Sequence, residues 1–216
     1  MEVADIVGAA GAEPLRIAVD LSRVESPETV LKATLDRYGR VDALLNIAGA
    51  VPQIHLFEMT DEQWHAGMEL KLHAARRLTI RTWDALKASK GSVVLMSGSA
   101  ALDPKPGFAA VAATNAAILA MAKAFAEQGI NDGVQVNSVV PGAVMTARRK
   151  SFLEKWAPAH NMSVEEATKK FPEEAGISRY GEPEEIAELM AFLVSPGAKW
   201  MTGTAVRMDG GEIKGI

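Results

Sequence analysis

The sequence predicts a doubly wound α/β domain built on a mostly parallel sheet. Three observations lead there. Short β-type runs alternate with helical patterns along the chain, with no internal repeat or low-complexity linker between them. The runs "VDALLNIAG" (41–49) and "GSVVLMSGS" (91–99) are almost continuously apolar, as strands covered on both faces are. The helical stretches between runs have the length of βαβ crossovers, which place helices on both sides of a parallel sheet.

In order, "LRIAVD" (15–20) is the first strand candidate, and "SPETVLKATLDRYG" (26–39) reads as a helix. Ser26 is expected as its N-cap, Pro27 as its first helical residue and Gly39 as the left-handed stop. The strand 41–49 follows, then a long helix from Asp61 to about Lys87 capped by Thr60. Strand 91–99 precedes a helix over 107–128, and "VQVNSVVPG" (134–142) is a strand ended by Pro-Gly. Residues 146–175 are polar, with Arg148, Arg149 and Lys150 among them, and are expected as an exposed helical insertion. "EPEEIAELMAFLVS" (182–195) is a capped amphipathic helix and "GTAVRMDGG" (203–211) the closing strand.

Composition narrows the function classes. A chain of 216 residues suits one domain, 1–216. A formal charge of −4 argues against nucleic-acid or anionic-membrane partners, since both attract basic surface. The absence of cysteine rules out disulfides and thiolate metal sites. No uninterrupted apolar run approaches the roughly 20 residues that span a bilayer. "MEVADIVGAAGAEP" lacks the basic start and apolar segment of a signal peptide, so a cytoplasmic location is expected. His55, His65 and His160 show no metal-ligand spacing, so no metal site is expected.

Four stretches in this order resemble the short-chain dehydrogenase/reductase family: "NIAG" (46–49), "VNSVVPGAVMT" (136–146), "RYGEPEEIAELMAFLVS" (179–195) and "MTGTAVRMDGG" (201–211). The resemblance covers nearly the whole chain from about residue 10. It implies a Rossmann-like three-layer fold, an NAD(P)-dependent oxidoreductase and a small-molecule carbonyl or alcohol substrate. NAD and NADP are not distinguished. For the cofactor, it points to Asp20 near the adenine, to Asn46, Ala48 and Gly49 along the central strand, and to Pro141, Gly142 and Thr146 beside the nicotinamide. It also implies a homodimer or homotetramer, built by the helices 61–87 and 107–128 against the same pair of a symmetry mate.

Two departures from the family pattern stand out. The family opens with a strand and a glycine-rich turn that binds the pyrophosphate at a helix N-terminus. Here Gly8 and Gly11 precede a strand instead of following one, so the sheet is expected to lack the family's first two strands. Their removal would leave a gap of about 14 Å beside "VDALLNIAG", at about 4.8 Å per strand step. Three resolutions present themselves: direct pairing of "LRIAVD" with "VDALLNIAG", a second subunit in the gap, or a longer natural product. Direct pairing is the favoured expectation, because buried strand edges need partners.

The second departure is chemical. Aligned with the family's tetrad, Val111 stands at the tyrosine, Asn115 at the lysine, Gly98 at the serine and Lys71 at the asparagine. In the family the lysine lowers the tyrosine's pKa so that the phenol can exchange a proton with the carbonyl near neutral pH. Tyr38 and Tyr180, the two tyrosines, lie in Arg-Tyr-Gly turns away from the expected cleft. Lys71 as a cationic donor and Ser99 as an oxygen anchor are the catalytic candidates. Set against that are a solvated lysine on a charged helix and a serine that only ends a strand. Two functions are thus left open: an oxidoreductase of the family, or a non-catalytic scaffold on its fold.

Overall fold

The computed structural model describes residues 3–215. Its sheet contains β1 (Ala43–Asn46), β2 (Ser92–Met96), β3 (Gln135–Pro141) and β4 (Ala205–Met208), in that spatial order and all parallel. The helices are α1 (Val3–Ala9), α2 (Ser26–Tyr38), α3 (Asp61–Met68), α4 (Ala74–Ser89), α5 (Ala109–Asp132), α6 (Ala147–Ala159), α7 (Val164–Ala175) and α8 (Pro183–Val194).

Strand alternation assigns the two faces of the sheet. Val93, Leu95 and Val136 point to one side, where they pack with Leu86 of α4 and Ile118 of α5. Val94 and Val139 point to the other and meet Ile186, Met190 and Leu193 of α8. Each of these aliphatic side chains is almost fully withdrawn from water, worth roughly 1.5–3 kcal/mol apiece before conformational entropy is charged. Three layers result, as the alternation of apolar runs and helices predicts.

Helix ends follow local chemistry. Gly39 terminates α2 at φ 73°, donating its N–H to the Leu35 carbonyl, a conformation that costs glycine little. Thr60 caps α3 through a reciprocal pair with Gln63. At α2, however, the N-cap is Glu25; Ser26 is already helical and donates its hydroxyl to the Asp20 carbonyl. Pro27 therefore falls at the second helical position, where it still lacks only an unneeded N–H.

"LRIAVD" is not a strand here. Residues 12–20 run outside the sheet, and Leu15, Arg16, Ala18 and Asp20 are exposed. The segment is tied instead to α2, by the Tyr38 hydroxyl donating to the Glu13 carbonyl at 2.6 Å and by the Ser26 bond. Direct pairing with β1 does not occur. Among the described residues β1 keeps an unpaired edge, and Leu45 and Ile47 beside it are exposed.

Two further expectations are corrected. The predicted helix 61–87 is α3 and α4 joined by one π-helical turn, Glu69–His73. The polar stretch 146–175 is helical but not simply exposed: Leu153, Ala157 and Ala167 form a small core of their own. Finally, Pro106–Asp132 is long and apolar enough to cross a membrane by length and composition, which uninterrupted runs did not reveal. Alanines supply that hydropathy; in the fold, Ala110, Ile118, Ala122 and Ala126 pack into the interior.

Candidate functional site

The C-terminal ends of β2 and β3 open into a cleft of about 1300 Å³. Helix α5 forms one wall, and α6, α7 and α8 close the opposite side. Because strand β2 ends at Met96, Ser97–Ser99 turn over the top of the sheet. Ser97 is buried and donates its hydroxyl to the Asn115 carbonyl at 2.9 Å. Ser99 heads a short 3-10 turn on the cleft wall.

The π-helical turn delivers Lys71. An extra residue in one helical turn re-aims the side chains around it, and such turns recur at functional sites. Here Lys71 reaches inward and its ammonium donates to Asn115 Oδ1 at 2.6 Å and to the Ser97 carbonyl at 3.2 Å. Burial and the nearby Arg148 guanidinium push its pKa down to about 8. The alternative of a solvated lysine on a charged helix is not what the fold builds. Among the described residues no carboxylate lies within ion-pair distance of it.

Two glycines make room for this arrangement. A Cβ on Gly49 would stand 2.7 Å from Lys71 Cγ, so the lysine stem lies directly on that backbone. A Cβ on Gly98 would stand 2.9 Å from Asn115 Nδ2. The position that the resemblance gives to a serine is thus filled by the asparagine amide. The four positions that the resemblance aligns with the tetrad lie together: Gly98 admits Asn115, Asn115 holds Lys71, and Val111 faces the cleft one helical turn before Asn115.

Of the residues expected to serve the site, Lys71, Ser99, Pro141, Gly142 and Thr146 do line this cleft. Asn46 lies below it, buried and donating to Thr79 Oγ1 at 3.2 Å, as a strand-stabilising residue would. Ala48 and Gly49 form the exposed loop after β1. Asp20 is apart from the cleft: its carboxylate accepts from the Ser22 hydroxyl and N–H, closing a local turn, and these bonds hold its pKa below the usual carboxylate range. Tyr38 is at the surface, and Tyr180 stacks behind Phe171. Sequence reasoning missed Arg148 and Glu212, which also line the cleft. The signal was present for Arg148, two residues beyond Thr146 at the start of α6.

A dinucleotide is the group that this architecture implies, and the described residues fit it poorly. The resemblance puts a nicotinamide beside Gly142 and Thr146, but the Ala143 N–H already donates to Glu212 Oε2 at 2.9 Å, and Thr146 Oγ1 accepts from the Arg149 N–H as the cap of α6. Burial pushes the Glu212 carboxyl up, so it competes for that corner as a weakly acidic group. Among the described residues no strand precedes β1; Gly8 lies within α1, and Gly11, at φ 81°, lies just after it. A strand–turn–helix cradle for a diphosphate is therefore not among them.

A parallel sheet carrying a cleft at its strand C-termini is the binding architecture of open α/β proteins. The chain belongs to the short-chain dehydrogenase/reductase family: the family profile described as enoyl-(acyl carrier protein) reductase matches residues 1–212. It is 31% identical over 196 residues to the 3-oxoacyl-[acyl-carrier-protein] reductase FabG of Vibrio cholerae, covering 90% of this chain and 76% of that one. It is 30% identical over 204 residues to the uncharacterized oxidoreductase YvaG of Bacillus subtilis, covering 92% and 76%. Among solved structures, the L-sorbose reductase of Gluconobacter frateurii, complexed with NADPH and L-sorbose, superposes with a TM-score of 0.93 at 27% identity. That match covers 98% of this chain and 81% of the reductase.

Proposed function

We propose that this chain is a short-chain dehydrogenase/reductase-fold protein that binds a small molecule in the cleft but does not run the family's tyrosine-based carbonyl chemistry. One observation carries the reading. Val111 faces the cleft at the place the resemblance gives to the tyrosine, and a valine has no proton to exchange. General acid–base groups contribute roughly 10²- to 10⁴-fold each, so ordinary turnover is not available to this site. Lys71 and Ser99 supply hydrogen-bond donors for binding an oxygen-bearing ligand in its place.

The test is NADH and NADPH oxidation by the purified 216-residue chain against small ketones and acyl thioesters, with both dinucleotides titrated by fluorescence. The expected results are no turnover above the uncatalysed rate and no saturable dinucleotide binding. Reproducible turnover that Ser99→Ala or Lys71→Ala abolishes would overturn the reading and return the chain to the oxidoreductases.

We also propose that the protein is a homo-oligomer assembled through α4 and α5. Support comes from Ile80 on α4 and Ile130 on α5, which are 53% and 64% exposed. Light scattering on the eluting protein is expected to give a dimer or tetramer, and Ile80→Glu to shift it to the monomer mass. A monomeric wild type would refute the assembly.

A further inference from the structure

We propose that the cleft is a carboxylate-binding site in which Lys71 and Arg148 clamp the anionic head and the apolar walls hold the body of the ligand. The inference rests on the reading of the cleft as a small-molecule site and goes beyond it by naming the ligand chemistry.

Lys71 is held inside the cleft by two neutral acceptors, Asn115 Oδ1 and the Ser97 carbonyl. An ammonium has three protons, so one remains for a ligand. Arg148 stands at the cleft rim in the first turn of α6, and its hydrogen bond to the Val51 carbonyl is a long one, 3.4 Å. Neither cation has an ion-pair partner among the described residues. The acids that line the cleft are engaged elsewhere: Glu212 accepts from the Ala143 N–H, Asp103 pairs with Lys105 and Glu174 with Lys170.

Helix α6 strengthens the case. Its first turn carries Arg148, Arg149 and Lys150 and no acid, although the positive end of a helix dipole favours acids there. Arg149 also lines the cleft, where its guanidinium lies over the Phe171 ring at 4.9 Å and is stacked against the wall. Among the described residues Arg148 lies over no aromatic ring, and it stands at the cleft in the positive field of the helix end.

The rest of the cleft selects the body. Met96, Val111, Phe152, Ile186 and Met190 line it, so the cationic end faces an apolar chamber. A cleft with a few converging polar groups on apolar walls is the usual form of a small-molecule site. An aliphatic or aromatic carboxylate matches both ends. A planar carboxylate also suits the guanidinium fork of Arg148, with Lys71 as a point charge on the same head.

Octanoate is the probe, titrated by calorimetry into the purified chain, with 1-octanol, acetate and octyl phosphate as comparison ligands. The expected result is saturable octanoate binding, with octanol and acetate much weaker. Lys71→Gln is expected to weaken octanoate by about 30-fold or more, as for other buried charge contacts, and Arg148→Gln, at the exposed rim, by about 5-fold. Arg148→Lys is expected to recover only part of that affinity, since an ammonium keeps the charge but lacks the fork, and Lys169→Gln, at an exposed position of α7 paired with Glu165, to leave it unchanged. Circular dichroism confirms that each variant is folded; since Arg148 is exposed, its variants keep the test decisive if Lys71→Gln unfolds.

A flat octanoate titration overturns the clamp, as does equal affinity in wild type and Arg148→Gln. Tighter binding of octyl phosphate than octanoate overturns the carboxylate assignment in favour of a phosphate ester. Turnover of NADH or NADPH would instead sink the non-catalytic reading and leave the octanoate result standing.

Discussion

Asn115→Lys alone is expected to destabilise the protein by about 2–4 kcal/mol, and Lys71→Asn in the same chain to restore most of that loss. The resemblance places a lysine at position 115 and an asparagine at position 71, the reverse of what stands there. Restoring the lysine while Lys71 remains puts two ammonium groups around the position of one hydrogen bond, now 2.6 Å long. At about 4 Å their repulsion would be roughly 4 kcal/mol in an effective dielectric of about 20. Deprotonating one of them is cheaper: Lys71, already near 8, gives up its proton at neutral pH for about 1.4 kcal/mol. To this is added the overpacking of a long side chain at a position that is 2% exposed.

The double variant removes both terms. Lys71→Asn shortens the side chain over Gly49, which frees space for the longer one introduced by Asn115→Lys, and it takes away the like-charged neighbour. Lys71→Asn alone leaves Asn115 Oδ1 buried without its donor, a loss of about 1–3 kcal/mol. Urea unfolding of the four proteins at neutral pH closes the cycle. A coupling of about 2 kcal/mol or more in favour of the double variant is expected. Additive losses would show that positions 71 and 115 do not form one unit.

The sequence made much of this legible, for identifiable reasons. Val93–Leu95 and Val136–Val140 read as buried strands because helices cover both of their faces. Gly39 and Thr60 read as helix ends because their chemistry is local. "LRIAVD" misled because a strand exists only with its partners, and its propensity does not say whether a partner is present. The π-helical turn at 69–73 has no sequence signature, so the direction of Lys71 was not readable, although its identity as a site residue was. Arg148 carried a positional signal, two residues beyond Thr146, but the basic run 148–150 reads as a solvated face until α6 is placed at the cleft.

The stability difference between wild type and Lys71→Met is expected to shift toward wild type by about 1 kcal/mol between about pH 7.5 and about pH 9.5. Burial and Arg148 lower the Lys71 pKa in the folded protein from 10.5 to about 8. Between those values the unfolded chain holds the proton that the folded chain has released. The unfolded state then binds more protons, so stability rises with pH. Below about 8 both states are protonated, and the full cost of charging a buried amine is present. The upper bound over that window is about 2 kcal/mol; partial exposure of the side chain reduces it to about half.

Exposed pairs such as Lys32–Asp36 and Lys169–Glu165 raise their lysines and act in the opposite direction. They are common to both proteins and cancel in the difference. Asp103, Glu174, Glu212 and Arg148, which share the cleft wall with Lys71, are the same in both proteins. Guanidinium unfolding at closely spaced pH values gives the curve. A pH-independent difference would mean that Lys71 titrates like a lysine in water. With octanoate bound, the same rise is expected to move to higher pH, because a carboxylate beside the ammonium favours its charged form. A buried amine that destabilises the free protein and is relieved by an anion is what a binding site stores; a structural lysine would have been given a carboxylate of its own.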